Sequence, residues 1–135
     1  LNFSFCIFII KVIFMKESFS ISSAELEVME VLWEADKPLS IQSVLDGIKD
    51  EKWKYNTVGT MLLRLAEKGA VKSQKESRVI YYSAVLKREE YKKEQTQKLV
   101  SRLYGGSARE LAVSLIGSGE ITKEDIQEIR KMFDL

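Results

Sequence analysis

The stretch Asn56–Gly69, NTVGTMLLRLAEKG, is the most informative part of the sequence. Its polar side chains recur at intervals of three and four residues, a spacing that forms one stripe along a helix. This cationic stripe consists of Thr57, Thr60, Arg64 and Lys68. The opposite face is apolar and consists of Val58, Met61, Leu62 and Leu65. Gly69 readily ends a helix, so we predict an amphipathic helix with a small, hydroxylated and basic outer face.

Two strand-like runs follow that helix and predict a β-hairpin. Val71–Glu76 and Val79–Ser83 contain residues that favour strands, and a short polar turn around Ser77 separates them. Lys75 and Arg78 lie beside the tip of this turn. A basic helix followed directly by a basic hairpin is the arrangement of a winged helix-turn-helix, which binds duplex DNA.

Two further helices are predicted upstream of the basic one. Ser22-Ser23-Ala24-Glu25 matches a capping box, with Ser22 as the N-cap. The helix that it starts has a predicted buried stripe of Leu26, Met29, Leu32 and Trp33. Ser40 caps a second helix that runs from Ile41 to about Lys49. We therefore predict a mainly α-helical fold with one small β-hairpin, in which residues 21–86 form the winged-helix domain.

The charge of the chain is unevenly distributed, although its formal net charge is only +1. Residues 52–93 contain eleven Lys and Arg against four Asp and Glu, a local net charge of +7. Residues 17–51 contain two Lys against nine acidic residues, a local net charge of −7. A basic patch of this kind attracts phosphates, so the distribution favours a nucleic-acid partner over a set of solvated surface charges.

The absence of histidine and the presence of a single cysteine, Cys6, exclude several classes of site. One cysteine cannot form a disulfide framework and is compatible with a reducing compartment, so we expect a cytoplasmic protein. Ser-His-Asp and Cys-His nucleophiles and zinc sites built from Cys and His are excluded as well. We predict that the protein is not an enzyme and uses no cofactor, metal ion or small-molecule substrate.

The first twenty residues are set apart by an apolar run, Phe3–Phe14, which Ser4 and Lys11 interrupt. The run is shorter than the roughly 20 residues of a membrane-spanning helix, and it lacks the features of a secretory signal. Met15 resembles a natural start, so we expect residues 1–14 to result from an upstream start assignment. A weak membrane-surface anchor is the functional alternative.

The C-terminal region, residues 87–135, is predicted to contain a linker helix and two short amphipathic helices. The linker helix runs from Leu86 to Tyr104, and Ser107 and Thr122 provide start signals for the other two. Apolar faces without a local core partner favour a homodimer, against the alternative that they fold back on their own domain. The predicted dimerisation residues are Leu103, Tyr104, Leu111, Leu115, Ile116, Ile126, Ile129, Met132 and Phe133.

On double-stranded DNA, the predicted basic helix lies in the major groove. Asn56, Thr57 and Thr60 are predicted near base edges, where a threonine methyl group can contact a thymine methyl group. Arg64 is the strongest single candidate, either bidentate to guanine or bound to a phosphate. The predicted phosphate-binding residues are Lys54, Lys68, Lys75 and Arg78.

Taken in order, the residues from Ile21 to the C-terminus resemble the penicillinase-repressor family, the BlaI/MecI/CopY-type winged-helix regulators. The matching segments are Ile21–Met29 (ISSAELEVM), Leu32-Trp33, Thr57-Val58, Thr60, Leu62, Arg64-Leu65, Lys68-Gly69, Tyr81-Tyr82-Ser83 and Leu103-Tyr104-Gly105-Gly106. Their order and spacing together make the resemblance strong. It implies a homodimeric transcriptional repressor of a pseudo-palindromic operator, in systems that commonly control β-lactamase or altered penicillin-binding protein genes.

The resemblance also implies how such a repressor is released. In the family a membrane sensor relays the signal, the repressor is cut in its C-terminal part, and the dimer fails. By alignment the cut bond falls near Ser114-Leu115, which differs from the Asn-Phe pair of the β-lactam repressors. Gly59 is a second departure. It is predicted to lie mid-helix on the DNA-facing side, where relatives often carry a larger, sometimes basic, side chain. The copper-responsive branch uses a C-terminal cysteine cluster, and the absence of cysteine after Cys6 argues against direct copper or zinc sensing.

Three alternative functions follow from other features. A winged helix can instead bind another protein, in which case the outer face of its basic helix should be apolar. A membrane-associated sensor component is motivated only by Phe3–Phe14. A regulator of unrelated genes, with a different inducing signal, shares every DNA-binding feature described above.

Overall fold

The computed structural model describes residues 19–135, so the N-terminal apolar run and Met15 lie outside the described residues. Within this range the helices are α1 (Ser23–Ala35), α2 (Ile41–Gly47), α3 (Tyr55–Glu67), α4 (Arg88–Leu103), α5 (Ala108–Gly117) and α6 (Lys123–Met132). The strands are β1 (Leu39–Ser40), β2 (Val71–Glu76) and β3 (Val79–Ala84). No helix of the described range is long and apolar enough to span a membrane. The mainly α-helical winged helix-turn-helix class is confirmed.

The chain divides into two compact units, of which the first ends at Tyr91 and the second is Lys92–Leu135. The first unit therefore extends beyond the predicted boundary at residue 86 and includes the first turn of α4. Two contacts of Trp33 account for this extension. Its Nε1 donates to the carbonyl oxygen of Leu86 at 2.7 Å, and its ring centroid lies 6.0 Å from that of Tyr91. Trp33, predicted as a core residue of α1, is thus half-buried beneath the start of α4.

The core of the first unit is formed by apolar side chains from all three of its complete helices and from the sheet. The buried apolar residues are Val28, Met29, Leu32, Leu39, Val44, Val58, Leu62, Leu65, Ala70, Val71, Tyr82 and Leu86. The predicted stripe of α1 was partly wrong, because Leu26 is only half-buried. The buried stripe is instead Glu25, Val28, Met29 and Leu32. These four residues are spaced as one face of a helix requires. The first of them, Glu25, is an acid, and the sequence analysis assigned it to the capping box.

The sheet contains one strand that the sequence pattern did not predict. β1 has only two residues and pairs antiparallel with β3, with Leu39 opposite Tyr82. β2 pairs with the other side of β3, and Glu76 lies opposite Val79 at the tip of the hairpin. The strand order is β1-β3-β2, so the predicted hairpin is part of a three-stranded sheet.

The end of α3 is fixed by a Schellman motif. Gly69 has a φ of +82°, a conformation that costs an L side chain but not glycine. The N–H groups of Gly69 and Ala70 donate to the carbonyl oxygens of Ala66 and Leu65 at 3.0 and 2.9 Å. The prediction that Gly69 ends this helix is confirmed.

The predicted capping boxes differ in how completely they form. The Oγ of Ser22 accepts a hydrogen bond from the N–H of Glu25 at 3.2 Å, but the Glu25 carboxylate binds Lys68. At the start of α6, the N–H of Asp125 donates to Thr122 Oγ1 at 3.1 Å, and the N–H of Thr122 donates to Asp125 Oδ2 at 2.9 Å. The complete capping box is therefore the aspartate variant.

Candidate nucleic-acid interface

The two faces of α3 differ as the sequence predicts. Asn56, Thr57, Thr60 and Arg64 are exposed on one side of the helix. Val58, Leu62 and Leu65 are fully buried on the other. The apolar face packs α3 into the core, so its polar face is held in one orientation on the surface of the first unit. This confirms the amphipathic arrangement, while contact of these residues with DNA remains a prediction.

The hydroxyl group of Thr60 is already used as a donor. Its Oγ1 donates to the carbonyl oxygen of Asn56 at 2.9 Å, one turn earlier in the helix. A threonine hydroxyl has one proton and two lone pairs, so Thr60 offers only acceptor capacity and a methyl group to a ligand. On a base edge it therefore suits an amino group of adenine or cytosine, or a thymine methyl group.

Lys68 does not belong to the exposed basic face, contrary to the predicted stripe. Its Nζ donates to the carbonyl oxygen of Ser20 at 2.6 Å and to both carboxylate oxygens of Glu25, at 2.9 and 2.6 Å. Glu25 is only 4% exposed, so its charge depends on this partner. An ammonium group has three protons, and here each has an acceptor within the protein. Lys68 is thus an internal ion-pair residue.

Gly59 is half-buried on the side of α3 that approaches α2. A Cβ atom built on Gly59 would lie 3.5 Å from Cδ1 of Ile41, which is an ordinary van der Waals distance. The glycine is therefore not required by crowding. Gly59 lies at the edge between α3 and α2, and contact of this position with DNA stays a prediction.

Two apolar residues on the exposed side of this unit were missed by the sequence reasoning. Leu63 is 59% exposed and lies three residues after Thr60, within the same face of α3. Tyr55, the first residue of the helix, is also exposed. Their spacing relative to the polar stripe is the signal that could have identified them, but only polar residues were considered for the exposed face.

The hairpin of β2 and β3 ends in a two-residue turn of the type I′ kind. Both central residues have positive φ, +47° for Ser77 and +71° for Arg78. Such turns usually contain Asn and Gly, because these residues tolerate this conformation at low cost. Arg78 and Lys75 are both exposed on the hairpin, as predicted.

A cleft of about 340 Å³ brings the start of α3 and the tip of the hairpin together. Its lining residues are Ser40, Ile41, Gln42, Tyr55, Arg78, Val79 and Ile80. Arg78 and Tyr55, the first residue of α3, therefore border the same cleft. The beginning of α3 also lacks acidic residues in its first turn, and Lys54 at its N-cap is exposed. This surface combines cations, hydroxyl groups and a few apolar side chains, which suits a sugar–phosphate backbone and base edges.

Among residues 19–135, no group of three or more Cys, Asp or Glu lies close enough to hold a metal ion. Comparison with known proteins identifies the family of the chain over most of its length. The sequence profile described as penicillinase repressor matches residues 21–134. The chain belongs to the penicillinase repressor family.

Relatives in this family align with nearly all of the chain. The penicillinase repressor of Bacillus licheniformis is 30% identical over 120 residues, which are 89% of this chain and 94% of the relative. The methicillin resistance regulatory protein MecI of Staphylococcus aureus is 24% identical over 119 residues, 87% of this chain and 96% of the relative.

Two solved structures of the repressor BlaI match about half of the chain. The DNA-binding domain of the repressor BlaI is 40% identical, covers 53% of this chain and 88% of that domain, and has a TM-score of 0.47. The monomeric form of B. licheniformis BlaI in complex with the blaP half-operator is 39% identical, covers 54% of this chain and 89% of that one, and has a TM-score of 0.46.

The remaining residues predicted for this penicillinase-repressor family member lie in the second unit. Leu103, Ile116, Ile129, Met132 and Phe133 are exposed, and Tyr104, Leu111, Leu115 and Ile126 are half-buried. No residue of Lys92–Leu135, all of which the structure describes, is buried. The candidate cleavage site, Ser114-Leu115, lies inside α5 rather than in a loop.

Proposed function

We propose that this protein is a DNA-binding transcriptional repressor that binds a pseudo-palindromic operator as a homodimer. The observation that carries the proposal is the cleft that Tyr55, at the start of α3, shares with the wing tip Arg78. Membership of the penicillinase repressor family supports the same function. In this proposal α3 is the recognition helix and the β2–β3 hairpin is the wing.

Base recognition is assigned to the N-terminal half of α3. Asn56, Thr57 and Thr60 approach base edges in the major groove, and Arg64 binds either guanine or a phosphate. Leu63 adds apolar contact suited to a thymine methyl group. Glu67 is exposed at the end of the same helix, where its charge repels phosphates. The N-terminal half therefore carries the specific contacts.

Phosphate binding is assigned to residues that flank this helix. Lys54, Lys75 and Arg78 bind phosphates through their charge and do not distinguish one base sequence from another. Lys68 is not assigned to DNA, because it forms an ion pair with Glu25. Together with Arg64 these residues provide about six to eight phosphate contacts per dimer. With that number of contacts, raising the salt concentration from about 50 to 200 mM is expected to lower the affinity for DNA by roughly 10³-fold or more.

The homodimer is assigned to the second unit. A unit without any buried residue cannot offset the conformational entropy of folding by itself, and it exposes large apolar side chains such as Leu103, Met132 and Phe133. Association with a second copy covers these side chains. Two linked reading units then bind two half-sites with much greater avidity than one.

Repression follows from occlusion of a promoter by the bound dimer in the cytoplasm, and release follows from loss of dimerisation. The MecI relative is named a methicillin resistance regulatory protein, which supports β-lactam resistance genes as targets. Release by a membrane sensor and protease requires that Ser114-Leu115 be cut. Because this bond lies within α5, the helix must first open locally before the bond can enter a protease. The protein itself is proposed to have no enzymatic activity.

The test is binding of the full chain to a duplex from the promoter of its own gene, compared with a scrambled duplex. Fluorescence anisotropy at about 50 and 200 mM salt measures affinity and its salt dependence, and footprinting defines the protected operator. Arg64→Ala is expected to weaken promoter binding strongly. Lys37→Ala is the matched control, because Lys37 is an exposed lysine after α1 and does not line the cleft that Tyr55 and Arg78 share.

Equal, weak binding of both duplexes, unaffected by Arg64→Ala, would contradict the proposal. It would favour the alternative that the winged helix binds another protein, for which exposed Leu63 and Tyr55 provide an apolar contact surface.

A further inference from the structure

Three exposed side chains on one turn of α3, those of Arg64, Thr60 and Leu63, form what we call the recognition row. We propose that the recognition row binds one G·C base pair whose cytosine carries a methyl group at C5, so that cytosine methylation of the operator strengthens binding by the repressor. The inference rests on the proposed function, because it requires α3 to lie in the major groove of DNA.

The order of side chains in the recognition row follows from helix geometry. Successive residues of an α-helix are separated by about 100° around its axis. Arg64, four residues after Thr60, is therefore displaced from it by about 40° in one direction, and Leu63, three residues after Thr60, by about 60° in the other. The exposed fraction of Leu63 is 59%. Thr60 thus lies between a cation and an apolar side chain on the outer face of α3.

Each member of the recognition row offers DNA a different chemical group. The guanidinium of Arg64 carries hydrogen-bond donors and no acceptor. Thr60 donates its hydroxyl proton to the carbonyl oxygen of Asn56 at 2.9 Å, so it offers one acceptor oxygen and one methyl group. Leu63 offers only apolar surface. Around the helix the row therefore runs from donors through an acceptor to apolar groups.

The major-groove edge of a G·C pair presents the complementary groups in the same order. Guanine presents two acceptors, N7 and O6, and cytosine presents the N4 amino group as a donor. The next position on this edge is C5 of cytosine, where a methylated cytosine carries the methyl group that thymine also has. Arg64 therefore matches guanine, Thr60 matches the N4 amino group, and Leu63 matches the C5 methyl group.

The other base pairs match the recognition row less well. An A·T pair places the N6 amino donor of adenine toward Arg64 and the O4 acceptor of thymine toward the acceptor of Thr60. An unmethylated G·C pair satisfies Arg64 and Thr60 but gives Leu63 no methyl group to contact. Burial of one additional methyl group against Leu63 corresponds to about a fourfold gain in affinity per half-site.

The experiment uses the full chain and the footprinted promoter duplex. Each cytosine in turn is replaced by 5-methylcytosine at symmetric positions of both half-sites. Fluorescence anisotropy gives the ratio of dissociation constants between the unmethylated and the methylated duplex. We expect one position in each half-site at which methylation strengthens binding by roughly 10–20-fold, the product of about fourfold at each half-site.

Two variants of the recognition row separate its apolar contact from its hydrogen bond. Leu63→Ala is expected to reduce the methylation ratio to less than about twofold, because the apolar contact is lost. Thr60→Val keeps the shape of the side chain but removes the acceptor. It is expected to weaken binding of the methylated and the unmethylated duplex by one common factor and to leave the ratio unchanged.

Val85→Ala is the matched control for Leu63→Ala. Val85 is also an exposed apolar residue of the first unit, but it lies outside α3, so the methylation ratio should not change. A thermal melt checks the fold of each variant. A variant that is partly unfolded binds both duplexes more weakly by one common factor, so a merely structural role does not change the ratio.

A guanine analogue tests whether Arg64 binds the same base pair. The guanine opposite the responsive cytosine is replaced by 7-deazaguanine, which lacks the N7 acceptor. This replacement is expected to weaken binding by the unaltered protein and to have little further effect on Arg64→Ala. Equal weakening of the two proteins would overturn the inference, because Arg64 would then not contact that guanine.

Other outcomes would overturn the inference while leaving the proposed function intact. One is a promoter duplex that is preferred over the scrambled duplex but responds to methylation at no cytosine. Another is a methylation response that persists in Leu63→Ala. A third is a Leu63-dependent loss of affinity when a thymine is replaced by deoxyuridine, which would assign Leu63 to an A·T pair. Failure of the unaltered protein to prefer its own promoter duplex would overturn the proposed function and the inference with it.

Discussion

The ammonium group of Lys68, at the C-terminal cap of α3, lies 2.6 Å from Oε2 of the buried Glu25 at the start of α1. This ion pair joins the C-terminal cap of α3 to α1. Lys68 is 35% exposed, so solvent screens the pair only in part. Moving Lys68 to a phosphate would leave a buried carboxylate without a partner, which is costly. The pair therefore serves to hold α3.

We predict that Arg64 and Lys68 differ in how much each contributes to the release of counterions from DNA when the protein binds. Arg64→Met should reduce the slope of log affinity against log salt by about 0.9 per lost phosphate contact, if Arg64 binds a phosphate. Lys68→Met should leave this slope unchanged, because its charge is already neutralised inside the protein. Anisotropy titrations at four salt concentrations measure both slopes. Equal slope reductions in the two variants would mean that Lys68 binds DNA.

We also predict that the Glu25–Lys68 pair is coupled in stability. Lys68→Met should destabilise the first unit by about 1–3 kcal/mol, because the Glu25 carboxylate is left buried and unpaired. Glu25→Gln combined with Lys68→Met should cost less than the sum of the two single changes, since the amide needs no countercharge. Urea unfolding of the four proteins gives the double-mutant cycle. Additive free energies of unfolding would contradict this coupling.

Features formed by residues close together in the sequence were predicted, and contacts between residues far apart in the sequence were not. The amphipathic α3, its Gly69 stop and the hairpin are local patterns, and all three were predicted correctly. The Glu25–Lys68 pair joins residues 43 positions apart, which no helical periodicity relates. The pattern placed Glu25 in a cap and Lys68 on the outer face because each fits its own helix.

The remaining differences have similar physical causes. β1 has two residues, too few for alternation to be visible, and only its pairing with β3 defines it. Leu63 was assigned to neither face of α3, because a leucine beside a polar stripe fits neither the basic face nor the core, yet it is exposed. The attachment of α4 depends on a main-chain acceptor, the carbonyl oxygen of Leu86, which no residue pattern encodes.

Gly47, the last residue of α2, and Gly59 in α3 are predicted to respond oppositely to the same substitution. Gly59→Ala should stabilise the protein by about 1 kcal/mol, because alanine is a better helix former and the new Cβ lies at an ordinary distance from Ile41. Gly47→Ala should destabilise it, because the Cβ would lie 2.6 Å from Cγ1 of Val31 and force α1 and α2 apart. Thermal unfolding of both variants measures the two signs. A melting temperature lowered by Gly59→Ala would contradict the packing described here.

Asp125 is predicted to titrate below its ordinary value of 3.8. The hydrogen bond from the backbone N–H of Thr122, and then that from its hydroxyl group, stabilise the charged carboxylate and lower its pKa. A lowered pKa adds stability that is present above the unfolded value of about 3.9 and is lost as pH falls through the lower folded value. The carboxyl ¹³C shift of Asp125 during an acid titration measures this.

A Thr122→Ala variant provides the control for Asp125. It removes the hydroxyl group but keeps the backbone N–H, so the midpoint should rise toward 3.8 while staying below it. A midpoint at or above 3.8 in the unaltered protein would show that the capping box does not form in solution.

Arg78 at the wing tip is predicted to lower the stability of the fold while it raises the affinity for operator DNA. Its φ of +71° and the +47° of Ser77 each cost about 1 kcal/mol or more relative to glycine. Arg78→Gly should therefore raise the free energy of unfolding, yet weaken operator binding and lower its salt dependence, because a cation is lost from the DNA-facing side. Ser77→Gly relieves the same turn without removing charge, so it should stabilise the protein and leave affinity unchanged. If both variants weaken binding equally, the stiffness of the turn matters for DNA binding and the guanidinium of Arg78 does not.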